Sequence, residues 1–327
     1  MSFLTNNTAI RVVKLTLGTI LAIHLADILG LHYSFSAGII AMLSIMDTRL
    51  LTLKIAFQRL MSLVLGLILG VGLFYYFGYS LEVFAILLLI YIPLSLRFNL
   101  ISGLVPSCVL LSHFINAKSV DVAIIYNAFG LMFVGLGVAT LFNLYMPSYK
   151  KQIEQMQRQV EGLISHIMGN LAKQLALALG DKQAETQKLY QQLNAQLALM
   201  EKTVQQEREN NLFSHSLFDV DYTVFRQSQA VILRYMIDNA FLIKFPQEDG
   251  KTLAEIFQLA SQQINREIIP EALSAQLQAM FSRFRQYDLP TERVAFEERA
   301  LIYQLMTDYQ RFLDLKYNFV KKHYINQ

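Results

Sequence analysis

The sequence predicts an all-α protein in two parts: a polytopic bundle of membrane helices, then a soluble helical bundle. Three observations carry this. Of the 327 residues, 54% are hydrophobic and only 16% charged. The charges are unevenly placed. Residues 1–147 hold 7 of the 28 Lys+Arg and 4 of the 25 Asp+Glu, which leaves 21 of each to residues 148–327. In that second part apolar residues recur at gaps of three and four, the period of a helix with one buried face.

The change of character falls between Phe142 and Gly162. Pro147 is followed by Ser148, Tyr149, Lys150 and Lys151. A span that ends, an interfacial tyrosine and a lysine pair held by an anionic inner leaflet have this form. The sequence therefore divides into a transmembrane domain, 1–147, and a cytoplasmic helical domain, 148–327.

Six apolar segments precede the boundary, at about 12–31, 33–46, 55–78, 81–96, 100–115 and 121–146. A helix crossing a bilayer core of roughly 30 Å needs about 20 residues. The first, third and sixth segments meet that; the second, fourth and fifth are short. Arg11 and Lys14 before the first segment superficially suit a signal peptide, but apolar segments follow at once and no small-residue cleavage site is evident. The segment reads as a retained span.

Positive charge sets the expected topology. Arg11, Lys14, Arg49, Lys54, Arg59, Arg97, Lys150 and Lys151 fall on one side and only Lys118 on the other. Both termini of this multi-pass chain are expected in the cytoplasm, at the cell membrane. Residues 47–60 place Leu50, Leu53, Phe57 and Leu60 on one face. They read either as an interfacial helix or as an extension of the third span.

Short internal matches suggest a repeat. Ser36-Ala37-Gly38-Ile39-Ile40 resembles Ser102-Gly103-Leu104-Val105, and Gly66, Gly70 and Gly72 correspond to Gly130, Gly135 and Gly137. Three crossings followed by three make inverted halves, an arrangement that puts a substrate site near mid-membrane. Gly66 and Gly70, four apart, also let another helix approach closely.

Polar groups in apolar segments need a reason. His24 and Asp27 share a helix face and form a candidate proton relay; the bland reading is an Asp27 solvated at the end of its span. Pro93 and Pro106 are expected to interrupt the fourth and fifth helices. Between them lie Arg97 and Asn99, which with Arg59 and Asn127 are the candidate substrate pathway. A fixed cation beside broken helices suits an anion; the plain alternative is a basic anchor in a short turn. His113 reads as a satisfied polar group, and Asn127 and Asn143 as bonds between helices or pathway lining.

After the boundary, helices are expected at about 150–179, 182–210, 219–244, 251–266, 270–287 and 292–323. Gly180-Asp181, Asn210-Asn211, Pro246, Gly250 and Asp288-Leu289-Pro290-Thr291 serve as breaks. The single cysteine, Cys108, allows no disulfide within the chain, and no Cys/His metal spacing occurs. Phosphate-binding loops and hydrolase or kinase signatures are missing. The +3 net charge is too scattered for nucleic acid. Neither an enzyme nor a cofactor is expected.

Three blocks carry a resemblance. They are Tyr222, Phe225-Arg226, Gln229, Ile232-Leu233 and Met236; Leu289-Pro290-Thr291 with Ala295-Phe296-Glu297 and Arg299-Ala300-Leu301; and Phe312-Leu313, Lys316 and Phe319. With the six apolar segments they resemble the bacterial aromatic acid exporter family, over nearly the whole chain. Phe225 departs from the family pattern, which favours Met there. The resemblance implies a non-enzymatic exporter of small organic anions, aromatic carboxylates among them. A six-span unit is small for a transporter, so a homodimer in the lipid bilayer is expected. Arg226 is expected to pair with Glu297 or Glu298, and Arg299 elsewhere, as a latch across the bundle. The competing reading is a membrane-anchored scaffold or sensor whose helical domain binds a protein partner.

Overall fold

In the computed structural model the chain is all-α. The described residues are 6–146, 148–178, 180–211, 217–245, 248–264, 271–286, 288 and 290–325. They form twelve α-helices and a terminal π-helical turn, with no strand among them. Pro147, Pro246, Pro270 and Leu289, which figured as breaks or motif positions, lie outside the described residues. Two compact units emerge: Met1–Ser148 with Arg208–Ser214, and Tyr149–Glu207 with His215–Gln327.

The first unit contains α1 (Asn6–Ile28), α2 (Phe35–Ser44), α3 (Arg49–Phe77), α4 (Leu81–Arg97), α5 (Ile101–Ala117) and α6 (Val122–Leu144). Among the described residues, three stretches are long and apolar enough to cross a membrane: Ala9–Ile28, Arg49–Phe77 and Val122–Leu144. Phe35–Ser44 and Ile101–Ala117 are apolar but shorter. Residues 49–60 belong to one continuous helix with the third segment, started by the Thr48 side chain, which accepts the Leu51 N–H. An interfacial helix running into the third span and an extension of that span both have this continuous form.

The expected interruption at the prolines is not what the structure contains. Pro93 lies inside α4 and Pro106 inside α5, and both helices run through them. A proline within a helix leaves the carbonyl four residues earlier without its usual donor. For Pro106 that carbonyl is Ser102, and a neighbouring helix supplies the donor, as described below.

α2 packs chiefly against α6, and α5 chiefly against α3; α1 also lies on α6, and α4 on α3. Although α1 also packs closely on α2, whereas α4 touches α5 only lightly, the two halves otherwise share this pairing. Close approach makes it possible at two glycines. A Cβ at Gly103 would lie 2.4 Å from the Ser62 Cβ and 2.8 Å from the Arg59 Cα. One at Gly135 would lie 2.8 Å from the Ala37 carbonyl oxygen. Leu63, Phe74, Leu87, Tyr91, Phe114 and Leu131 fill the centre of the unit.

The second unit contains α7 (Lys150–Leu177), α8 (Gln183–Asn210), α9 (Phe218–Ala240), α10 (Glu248–Gln262), α11 (Glu271–Phe284) and α12 (Arg293–Val320). α7 packs mainly on α10, and α9 on α12. The apolar repeats of α7 and α8 point inward: Ile153, Val160, Ile167, Leu171, Leu193, Leu197 and Met200 all lie in one core with Tyr222, Leu233, Phe257 and Tyr309. Burying a side chain of this size contributes about 1.5–3 kcal/mol, and the amphipathic faces supply enough of them to hold six helices together.

Candidate functional site

The site begins with Arg59, about three turns into α3. It is only 5% exposed. Its Nη2–H donates to the Leu43 carbonyl at 2.9 Å and its Nη1–H to the Ile40 carbonyl at 3.2 Å; Nη1 also bonds the Ser44 hydroxyl. Leu43 and Ser44 belong to the last turn of α2, where helix carbonyls lack partners and the dipole is negative; the Ile40 carbonyl, one turn back, also accepts the Ser44 hydroxyl. Its Nε–H donates to the Ser102 carbonyl at 3.2 Å. That is the oxygen Pro106 left without a donor. One guanidinium therefore ties the end of α2 to the start of α5.

All these acceptors are neutral. No ion pair to Arg59 occurs among the described residues. A buried cation held only by neutral groups keeps an uncompensated charge, an arrangement whose effective penalty is several kcal/mol and which an anion relieves.

The opposite end of α2 has its own fastening. The Asn127 side chain accepts the His32 N–H at 2.7 Å and donates to the His32 carbonyl at 3.0 Å. Ser36 on α2 lies 3.3 Å from Nε2 of His113 on α5, and Tyr33 stacks on that imidazole at 4.1 Å. Asn143 donates to the Met46 carbonyl at 2.8 Å and to Thr52. α6 therefore holds both approaches to α2 through asparagines. His113 is satisfied only in part, since its buried Nδ1 has no partner.

The other sequence candidates lie elsewhere. Arg97 ends α4 and Asn99 sits in the α4–α5 turn, both exposed. Asn99 has φ 57°, and its carbonyl accepts the Gln58 side chain at 3.0 Å. Gln58 also accepts the Ser102 hydroxyl, so this turn is tied to the Arg59 neighbourhood. His24 and Asp27 lie on the exposed face of α1. Arg59 and Asn127 are brought to the two ends of one short helix; the His24–Asp27 pair is not brought to either.

In the second unit a charged cluster sits in the core, with Arg226 buried and Glu161 partly so. Arg226, 1% exposed, pairs with Glu161 of α7 at 3.1 Å rather than with Glu297 or Glu298. It donates to Gln229 at 2.9 Å and to the Tyr222 hydroxyl at 3.1 Å, with the Phe225 ring 4.8 Å from its guanidinium carbon. Gln229 donates to the Phe312 carbonyl, and Phe225 stacks on Phe319 at 4.7 Å. The first and third motif blocks thus meet. Glu297 instead bonds Arg293 on the surface, and Glu298 accepts the N–H groups of Lys244 and Phe245. Arg299 donates to the carbonyls of Phe284 and Asp288.

Lys316 is buried near the same cluster and donates to the Gln263 carbonyl at 3.3 Å. Burial, aided by the Arg226 charge and opposed by Glu161, draws its pKa down to about 8. Burial pushes Tyr222 up to about 12, while Arg226 and Glu161 act on it in opposite senses. Glu161 was not singled out from the sequence. The available signal was its place beside Val160 on the inward face of α7. For Lys316 it was a charge at apolar spacing between Phe312 and Phe319.

Comparison with known proteins divides at the same place as the fold. Residues 6–146 match the family model "Aromatic acid exporter family member 1". Residues 150–317 match "Putative aromatic acid exporter C-terminal domain". An uncharacterized protein of Bacillus subtilis (strain 168), YqjA, is 27% identical over 307 residues, 94% of each chain. A crystal structure titled as a putative membrane protein from Clostridium difficile 630 aligns with TM-score 0.46 and 17% identity, over 51% of this chain and 98% of that one.

Proposed function

Because this chain belongs to the aromatic acid exporter family, we propose that it moves small organic anions, aromatic carboxylates foremost, outward across the cell membrane. The observation that carries the reading is Arg59: a buried cation whose bonds all go to carbonyls and a hydroxyl, set between two short helices. A carboxylate reaching it gains a charge-assisted fork and neutralises a cation otherwise left bare. Arg97 and Asn99, exposed at the α4–α5 turn, attract the anion to that end of the bundle. The passage is secondary transport or channel-like movement through six spans, the short helices included, with both termini cytoplasmic.

Asp27 and His24 on the exposed face of α1 are costly toward lipid. A second subunit covering the His24–Asp27 end of that face would give them a shared, wetter setting, so the proton relay and the homodimer are proposed together. The test is export itself. Purified chain in liposomes preloaded with labelled benzoate should release it faster than empty liposomes. No release above the control, from folded and inserted protein, would overturn the transport reading in favour of a membrane-anchored scaffold.

A further inference from the structure

An open cleft lies between the outward faces of α1 and α6. Ala9, Ile10, Val13, Leu141, Phe142 and Tyr145 line it, with a volume of about 580 Å³. One charged side chain enters the lining, Lys14. Its Nζ donates to the Tyr145 carbonyl and to the Met146 sulfur. A lysine ammonium carries three N–H donors and a full charge, and neither partner is anionic. No ion pair to Lys14 occurs among the described residues.

Two more cations stand beside it. Arg11 is one turn earlier on α1, and Arg49 lies two residues beyond Asp47, the partner of Arg11. Glu209, which accepts the Thr48 hydroxyl at 2.8 Å, stands beside Arg49, and Asp47 pairs with Arg11 at 3.0 Å. Both members of that pair are more than half exposed, so it neutralises little. An apolar cleft with surplus positive charge at its mouth is complementary to an amphipath with an anionic head.

We propose that this cleft binds one anionic phospholipid, with an acyl chain between α1 and α6 and the phosphate at Lys14, flanked by Arg11 and Arg49. The proposal rests on the membrane character of the family and not on transport. Basic groups at a membrane surface draw anionic lipid, and an apolar cleft open to the bilayer accepts a chain that hydrocarbon already surrounds. The cleft opens on the outward face, where Val13 and Leu141 are exposed. A lipid chain reaches it there without passing through the bundle.

The test uses the full chain, purified and delipidated in detergent and read by native mass spectrometry and by melting temperature. Added phosphatidylglycerol should bind at one tight site per chain and raise the melting temperature; phosphatidylcholine should do neither. Lys14→Ala should weaken phosphatidylglycerol binding about tenfold. Because that variant also loses the Tyr145 bond, Arg11→Gln and the cleft-filling Val13→Phe serve as second variants, each expected to weaken binding in a chain that elutes and melts as wild type. Equal binding of the two lipids would overturn the proposal. So would full displacement of phosphatidylglycerol by inorganic phosphate or benzoate, which would mark a small-anion site. Each arm is scored without an export assay, so it stands or falls apart from the transport reading.

Discussion

The Nε–H of Arg59 meets the carbonyl of Ser102 at 3.2 Å, the oxygen that Pro106 deprives of its helical donor. This relationship joins three facts that are separate in the sequence: a basic residue in an apolar run, a proline in a predicted helix and a short segment before it. The proline does not break α5 because α3 satisfies the carbonyl it frees. Arg59 does not need a carboxylate to be buried because α2 offers it oxygens of its last two turns and α5 the carbonyl that Pro106 frees. The cost of that arrangement is an uncompensated charge, and the proposed function uses it.

The pair Glu161–Arg226 makes a sharper stability statement than its distance suggests. Glu161→Ala leaves a guanidinium buried without its anion and is expected to destabilise the second unit by about 3 kcal/mol. Replacing both, Glu161→Leu with Arg226→Met, should recover much of the loss, because the charge and its partner leave together. Urea unfolding followed by circular dichroism checks this. Equal stability of Glu161→Ala and wild type would show that the pair contributes nothing.

Which partner Arg226 takes was not legible in the sequence. Helical spacing places Arg226, Gln229, Leu233 and Met236 on one face of α9, but says nothing of which helix that face meets. Glu297 and Glu298 were the nearest acidic candidates by motif; Glu161 is a charged residue inside an otherwise regular apolar repeat. The helices of the second unit were legible because a 3.6-residue period survives any tertiary arrangement. The fastening of α2 was not: Arg59 and Asn127 stand out in sequence as polar groups in apolar runs, but apart from the Ser44 hydroxyl their partners are backbone atoms, which no side-chain pattern records.

Two glycines of the first unit should respond oppositely to alanine. At Gly103 the added methyl meets Ser62 and the α3 backbone at Arg59, and a loss of about 1–3 kcal/mol is expected. At Gly72 nothing lies within 4 Å, so alanine should be neutral or stabilising by up to about 1 kcal/mol. Melting temperatures of the two variants in detergent give the comparison. Similar shifts would contradict the close α3–α5 crossing.

Lys316 gives a pH dependence with a definite sign. Its folded pKa, about 8, lies below the ordinary 10.5. Between those values the unfolded chain holds a proton that the folded chain has released, so this group's contribution to stability rises with pH. Below about 8 its full penalty is present. Lys316→Met should therefore melt above wild type at pH 7.5, and the gap should narrow by pH 9.5. A gap independent of pH would mean that Lys316 is no harder to protonate in the fold than outside it.

Arg97 tests the approach to the site separately from its fabric. Its side chain is exposed at the end of α4 and holds no ion pair among the described residues. Arg97→Ala should leave the melting temperature unchanged and slow export several-fold, with the effect shrinking as salt is raised, since steering by exposed charge is screened. Unchanged export would remove Arg97 from the path.

Arg59 bears most directly on whether a buried cation receives the anion. Release of labelled benzoate from liposomes should be compared for wild type, Arg59→Lys and Arg59→Gln, each at matched insertion and melting behaviour. The expected result is a loss of tenfold or more in Arg59→Gln, with partial activity in Arg59→Lys, which keeps the charge but not the fork. Export by folded Arg59→Gln at the wild-type rate would contradict the account.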